Sequence, residues 1–236
     1  MIRSDMPPPS LLLIDPILRG SRLHYTWLAA QALPQAPLHV LTRTGAWTEA
    51  FTALFADRAV RLEEAAAVPE GFWYGKIPPQ EQQALWRAAA LLDGQSRFTA
   101  AYAAGVNELY PEFLAALAGP AWEFWGARPL LVIEYDAGFL LKATANRPGT
   151  PYEAKRDAYF QALRARPGLH VGILDERAFD AGIGLVADLP PDIRARFISL
   201  PDPMPPMPGA GEVPSGPEGP TRALLIGLQS RRKGLG

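Results

Sequence analysis

Short apolar runs, separated by segments with helical periodicity, are the feature that most constrains the fold of this chain. The runs Leu11–Ile14, Leu38–Leu41 and Leu130–Ile133 are continuous or nearly so, without the apolar–polar alternation of a half-exposed strand. This pattern is typical of parallel strands that are buried on both faces. The same reading predicts further strands at 59–62, 98–104, 169–174 and 197–200.

Helices are predicted between these strands because apolar residues recur there at three- and four-residue spacing. The segments 47–55, 80–92, 111–117 and 152–164 all have this spacing. In the last of them we expect the apolar side chains to face inward and the basic ones to face solvent. The inward set is Tyr159, Phe160 and Leu163, and the outward set is Lys155, Arg156 and Arg164.

Alternating strands and helices predict an α/β fold, a Rossmann-like parallel sheet with helices on both faces. In such a sheet, ligands bind beyond the carboxyl ends of the strands. We therefore expect a site among the loops that follow the predicted strands, at 15–21, 43–45, 105–108, 134–139 and 175–177.

Several classes of site and function are disfavoured by composition and motif content. The chain has no cysteine, so thiolate metal sites and cysteine nucleophiles are excluded, and His24, His39 and His170 lack metal-ligand spacing. A net charge of −1 gives no overall attraction to nucleic acid. The GxGxxG, Walker A and GxSxG motifs are absent. Without a signal peptide or an apolar run of membrane-spanning length, the expected location is the cytoplasm.

The composition changes sharply after residue 200. Eight prolines and four glycines occur between residues 201 and 220, as in a semi-rigid linker. A strand is predicted to restart at Ala223–Ile226, followed by a turn from Gly227 to Gly234. We therefore divide the chain into a Rossmann-like domain at 1–200, a linker at 201–221, and the first strand and turn of a truncated second domain at 222–236.

This C-terminal arrangement resembles the interdomain crossing of retaining GT-B glycosyltransferases of the family-4-like group. The residues that carry the resemblance are Ile198–Pro203, Leu224–Gly227 and the pair Lys233-Gly234. In that family a strand of this kind ends in glycine, and a Lys-Gly pair follows at the same spacing. The order of elements is similar over nearly the whole chain, which would be the N-terminal half of a GT-B fold and the start of its second half.

The resemblance implies transfer of a sugar from a nucleotide-sugar donor to a hydroxyl acceptor, a sugar or a lipid-linked one, with retention and without a metal or other cofactor. Gly227, Arg231, Arg232 and Lys233 would bind the donor diphosphate, since a glycine turn with nearby cations suits phosphate. Leu228 stands where the family has an arginine, so Arg231 or Arg232 would replace it. A solvated basic turn is the alternative.

The acceptor side would use two further groups of residues. Arg19, Gly20 and Ser21 form a loop in the position of the family's glycine-bearing loop, although an ordinary turn has the same composition. Tyr135 and Asp136 would bind sugar hydroxyls and take part in catalysis, with Glu134 or Asp136 as the carboxylate. The family's histidine near the sugar is missing from both candidate loops, 105–107 and 134–136.

The partners implied are the donor, the acceptor and the missing C-terminal domain, with peripheral membrane contact possible and no nucleic acid. Without that domain the chain would be inactive. The alternative is a non-catalytic α/β domain that binds another protein or a small molecule, and the missing histidine is its main support.

Overall fold

Seven strands form one sheet in the described part of the chain. The computed structural model describes residues 10–16, 25–27, 29–30, 36–44, 52–53, 55, 60–67, 77–104, 111–135, 137–145 and 147–200, which lie within the compact unit Met1–Pro203. The strands are β1 (Leu11–Ile14), β2 (Leu38–Thr44), β3 (Val60–Ala67), β4 (Ala100–Ala103), β5 (Leu130–Glu134), β6 (Leu169–Ile173) and β7 (Phe197–Ser199). Each strand begins within two residues of the start of a predicted strand. The calls on residues 201–236 lie outside the described residues.

The strand order is β3-β2-β1-β4-β5-β6-β7, and every neighbouring pair is parallel. This confirms the predicted Rossmann-like sheet. After β1 the chain adds β2 and β3 on one side of it. From β4 onward the chain adds strands on the other side of β1. The switch point therefore lies between β1 and β4, where Ile14 pairs with Ala103. In open α/β sheets a ligand crevice forms outside the carboxyl ends of the strands at this position.

Five described α-helices connect the strands: α1 (Pro79–Ser96), α2 (Glu112–Ala118), α3 (Lys142–Ala145), α4 (Pro151–Ala165) and α5 (Pro191–Arg194). The predictions at 80–92, 111–117 and 152–164 are confirmed as α1, α2 and α4. Residues 25–27 and 29–30, between β1 and β2, are also helical. Of the predicted helix 47–55, only residues 52, 53 and 55 are described. Among the described residues, no helix is long and apolar enough to cross a membrane.

Helix α4 begins at a variant of the capping box, in which the glutamate accepts from the residue before the N-cap Thr150. Thr150 Oγ1 accepts from the Glu153 amide at 3.4 Å, and Glu153 Oε2 accepts from the Gly149 amide at 2.6 Å. Gly149 has a φ of 71°, a region that glycine enters without steric penalty. Pro151 takes the first helical position, where its missing N–H would have no partner. These features start α4 at the edge of the sheet where the strands end.

Two hydrophobic cores cover the two faces of the sheet. Right-handed crossovers place the β1–β2 and β2–β3 connections on one face, with Tyr25, Ala30 and Phe55 buried there; we call this the minor core. Helices α1, α2 and α4 pack on the other face in the major core. Trp122 is fully buried there, 5.7 Å from Trp86 between ring centroids. The aromatic side chains of Trp122, Phe124 and Trp125 thus pack in or against the major core.

Candidate functional site

The carboxyl end of β1 carries a fully buried carboxylate. Asp15 follows the strand, and its Oδ2 accepts from Thr26 Oγ1 at 3.2 Å. The Asp15 amide donates to the Leu41 carbonyl of β2 at 3.1 Å. Because Leu11 and Leu13 face the minor core, alternation along the strand turns Asp15 to the same face. Asp15 therefore fixes the start of the β1–β2 connection beside the switch point.

A second buried carboxylate, Glu134, ends β5 and faces the major core. Its Oε2 atom accepts from the Tyr159 hydroxyl at 2.7 Å and lies 2.8 Å from Lys155 Nζ. Glu134 and Tyr159 are fully buried, and Lys155 is 8% exposed. The expectation that Lys155 faces solvent was wrong. Residues four apart share one helix face, so Lys155 lies beside Tyr159 and follows it toward the carboxylate.

The short 3-10 helix Ala137–Leu140 closes over this polar network. The Phe139 ring stacks on Tyr159 at 4.9 Å between centroids with an interplanar angle of 9°. Lys155 Nζ lies 5.1 Å from the centre of the same ring, within cation–π range. Phe139 thus excludes water from the Glu134–Lys155 pair, which strengthens the attraction between the two charges.

Tyr135 follows Glu134 and turns to the opposite face of the sheet. Its ring meets Tyr25 edge to face, at 5.3 Å between centroids and 71° between planes. Tyr25 precedes Thr26, the residue that donates to Asp15. The two tyrosines therefore link the β1 and β5 sides of the switch point. Tyr25 is buried and Tyr135 is half-buried with its hydroxyl buried, so the pair packs into the minor core at this end of the sheet.

The ends of β2 and β6 carry arginines in ion pairs. Arg43 is 1% exposed, and its Nη2 lies 2.6 Å from Glu81 Oε2 in the first turn of α1. Beyond β6, Arg177 grips Asp175 through Nε at 2.9 Å and Nη2 at 2.6 Å. These hydrogen bonds from Arg177 hold the pKa of Asp175 below its usual value. Both arginines are paired with carboxylates of the chain itself. They are therefore less suited to binding a phosphate than their positions after β2 and β6 would indicate.

The segments after β5 and β6 are joined into one rigid edge. The Lys142 amide donates to the Ile183 carbonyl at 2.8 Å, and the Leu185 amide donates to the Leu140 carbonyl at 2.9 Å. Lys142 Nζ also lies 2.9 Å from Asp188 Oδ2. These contacts give the β5 side of the candidate site a preformed wall.

Of the predicted site residues, Tyr135 and Glu134 lie in the described part of the chain, and Glu134 faces the major core, where Lys155 and Tyr159 hold it. Asp136, the loop Arg19, Gly20 and Ser21, and the diphosphate group Gly227, Arg231, Arg232 and Lys233 lie outside the described residues. Sequence reasoning missed Lys155 and Tyr159. Their four-residue spacing, one helix after a strand that ends in glutamate, is the signal that indicates them. Among the described residues, no three metal-ligating side chains converge.

A separate apolar depression of about 340 Å³ lies at the opposite, amino-terminal end of the strands. Its wall includes Leu11 of β1, Ala100 of β4, Leu131 of β5, His170 of β6 and Ile198 of β7. Crossovers from β3 onward place their helices on the major-core face, so no described helix covers β5 to β7 on this side. The depression is distant along the strands from Tyr135 and Asp15.

Comparison with known proteins shows similarity at the level of the fold. No protein-family model matches the chain, and no curated protein sequence does. Solved structures that align with it include dTDP-glucose 4,6-dehydratase from Bacillus anthracis in complex with NAD, at 10% identity and a TM-score of 0.45, over 70% of this chain and 54% of that one.

Two solved structures that contain UDP or a UDP-sugar align similarly. Phytolacca americana UGT2, complexed with UDP-2fluoro-glucose and pterostilbene, has 14% identity and a TM-score of 0.46, over 81% of this chain and 53% of that one. A UDP-glucose: anthocyanidin 3-O-glucosyltransferase in complex with UDP has 12% identity and a TM-score of 0.44, over 85% and 54%. The chain thus spans about half the length of these structures. What it shares with them is a parallel sheet with helices, and no activity follows from that.

Proposed function

We propose that this chain is the acceptor-side half of a GT-B glycosyltransferase, which transfers a sugar from a nucleotide-sugar donor to a hydroxyl acceptor with retention. The proposal combines the sheet order, the polar groups at the switch point and the glycosyltransferase-like pattern of the C-terminal sequence. Without a donor-binding half the chain would be inactive, and the reaction would need no metal.

The observation that carries the proposal is the meeting of Tyr25 and Tyr135 over the switch point, 5.3 Å apart between ring centroids. The buried carboxylate of Asp15, which follows β1, lies on the same face of the sheet, whereas Glu134 at the end of β5 faces the major core. In this proposal the exposed part of the Tyr135 ring packs against the apolar face of the acceptor. The segments after β5 and β6 are hydrogen-bonded to each other, and preorganisation of this kind lowers the cost of binding.

In this proposal the two sides of the cleft have different tasks. Tyr135 contacts the acceptor, and the Asp136 carboxylate interacts with the reacting hydroxyl. The loop of Arg19, Gly20 and Ser21 approaches the donor phosphates. Gly227 and the cations Arg231, Arg232 and Lys233 bind the donor diphosphate from the second domain. Each role rests on the residue type and its place in the sequence.

The acceptor-side assignment is tested by UDP release from UDP-glucose, using the full-length protein and a panel of sugar and lipid-linked acceptors. We expect acceptor-dependent release. Asp136→Asn should lower turnover roughly a hundredfold or more if its carboxylate receives a proton in the reaction. Tyr135→Ala should raise the KM for the acceptor about tenfold, the effect of losing one contact.

Arg164→Ala is the control, because Arg164 is exposed on α4. Activity unchanged in both site variants would contradict the assignment of Tyr135 and Asp136. If the parent neither hydrolyses any nucleotide sugar nor transfers a sugar from one, the proposed reaction is wrong.

A second candidate function, a small-molecule-binding α/β domain, is favoured by the 340 Å³ apolar depression. His170 and Tyr102 are the described lining residues with a polar side-chain group. The Nδ1 atom of His170 lies 3.0 Å from the Gly168 carbonyl, an acceptor to which Nδ1 can donate. The ligand would be an uncharged apolar molecule. Fluorescence titration with 1-naphthol tests this, and unchanged binding in His170→Phe would contradict a role for the imidazole.

A further inference from the structure

The buried network of Glu134, Lys155 and Tyr159 lies immediately behind Tyr135 in the chain. Glu134 is the last residue of β5, and it pairs with Ile173 of β6. Both of its polar partners come from α4, one helical turn apart. The carboxylate is therefore held by its strand on one side and by two donors on the other.

This network adds little to the free energy of unfolding, because burying its polar groups has a cost of its own. Removing two opposite charges from water offsets most of their mutual attraction, and apolar residues of similar volume are often as stable. A hydrogen-bonded buried group does, however, accept only one geometry, because an unmatched donor or acceptor carries a large penalty. Positional precision is thus the property that these three side chains add and that Leu or Met would not.

The position that they fix determines where Tyr135 points. Successive residues of a strand turn to opposite faces. With the Glu134 side chain held in the major core, Tyr135 must leave on the minor-core face, where it meets Tyr25. Phe139 stacks on Tyr159 from the other direction, so the chain is held both before and after Tyr135.

We propose that Glu134, Lys155 and Tyr159 are positioning residues that hold Tyr135 over the switch point. This proposal depends on the proposed function only for the statement that Tyr135 contacts the acceptor. None of the three touches the ligand, since all lie behind the strand end in the major core. They act through the backbone of residues 134–135 and through Phe139.

The test follows the position of Tyr135 directly, by ¹⁹F NMR of the full chain with 3-fluorotyrosine placed at residue 135. Tyr159→Phe removes one hydroxyl and keeps the ring that stacks on Phe139. We expect the fluorine resonance to move by more than its own linewidth, or to split into two, because the strand end gains a second arrangement. The triple variant Glu134→Met, Lys155→Met, Tyr159→Phe should give the same spectral change while the Tm stays close to that of the parent.

Asp93→Asn is the matched control, because Asp93 pairs with Arg128 at 2.6 Å at the other end of the sheet. It should lower the Tm and leave the resonance of residue 135 unmoved. If both Tyr159→Phe and the triple variant leave that resonance in place, the network is structural and the proposal is overturned. A resonance that moves equally in Asp93→Asn would overturn it too. The spectrum needs no donor or acceptor, so this outcome is independent of whether the protein binds a nucleotide sugar.

Discussion

The Tyr159 hydroxyl donates to Glu134 Oε2 at 2.7 Å across 25 residues of sequence, and both side chains are fully buried. The same oxygen lies 2.8 Å from Lys155 Nζ. The contact ties the end of a central strand to the helix that follows it. Four predictions about the stability of the fold can be measured without knowledge of the ligand, and the first of them concerns this network.

Lys155→Met should destabilise the protein strongly, because it leaves the Glu134 carboxylate buried without a cation. Removing one partner of a buried pair lowers the free energy of unfolding by about 3–5 kcal/mol. Urea denaturation followed by circular dichroism measures the change. Arg164→Met, on the exposed side of the same helix, should change it by no more than about 0.5 kcal/mol. Equal effects of the two substitutions would contradict a buried ion pair.

Arg128→Lys should destabilise although it keeps the charge. Two Arg128 nitrogens donate to the two Asp93 oxygens at 2.6 and 2.8 Å, and Nε donates to the Trp125 carbonyl at 2.8 Å. A lysine ammonium cannot reproduce this fork. Losing one such charge-assisted hydrogen bond lowers the free energy of unfolding by about 1.5–3 kcal/mol, measured by denaturant titration. The exposed Arg87→Lys should have little effect, and parity between the two would refute the bidentate geometry.

Gly184→Ala should be far more damaging than Gly182→Ala. A Cβ at residue 184 would overlap the Ala178 carbonyl, whereas at residue 182 the nearest atom is Asp180 Oδ1 at 3.5 Å. Gly184 also forms an isolated antiparallel β-bridge with Leu141, where the segments after β5 and β6 join. Overpacking of this kind lowers the free energy of unfolding by about 1–3 kcal/mol. A Gly184→Ala variant as thermally stable as Gly182→Ala would contradict the close packing there.

His39 should make stability fall as the pH is lowered from neutral. Burial, with a smaller contribution from the nearby Arg61 charge, lowers the pKa of His39 below 6.5 in the folded protein, although Glu63 opposes this. The unfolded chain then binds more protons, so stability is complete above 6.5 and decreases as the pH falls toward the folded-state pKa. Denaturant titrations at pH 7 and 5.5 measure the loss. In His39→Gln the loss should be smaller, and an unchanged pH dependence would exclude His39 as its source.

The strands were predictable because their buried character is written into consecutive residues. Leu11–Ile14 is apolar at every position, and β1 has those bounds. Strand β4 is less obvious, since Ala100–Ala103 is made of small residues around one tyrosine, and the prediction began two residues early. Where a turn signal bounds the run, as Gly168 does before β6, the start agrees to the residue.

The polar core was not predictable by periodicity, as Lys155 demonstrates. A helical pattern assigns a lysine to the exposed face because an unpaired charge is unfavourable inside. The partner that makes burial of Lys155 possible is Glu134, on a different element. Arg43 is a similar case, since its partner Glu81 is 38 residues away. Charged residues of this kind are placed by tertiary pairing, which no local pattern contains.

The central claim is tested most directly by calorimetric titration of UDP-, GDP- and dTDP-glucose into the full-length protein, comparing the parent with Lys233→Ala and the control Arg164→Ala. Loss of one charge-assisted phosphate contact lowers the binding free energy by about 1.5–3 kcal/mol. We therefore expect one of these donors to bind the parent and the control alike, and Lys233→Ala about ten- to a hundredfold more weakly. A parent that binds none of the three donors would contradict the glycosyltransferase proposal.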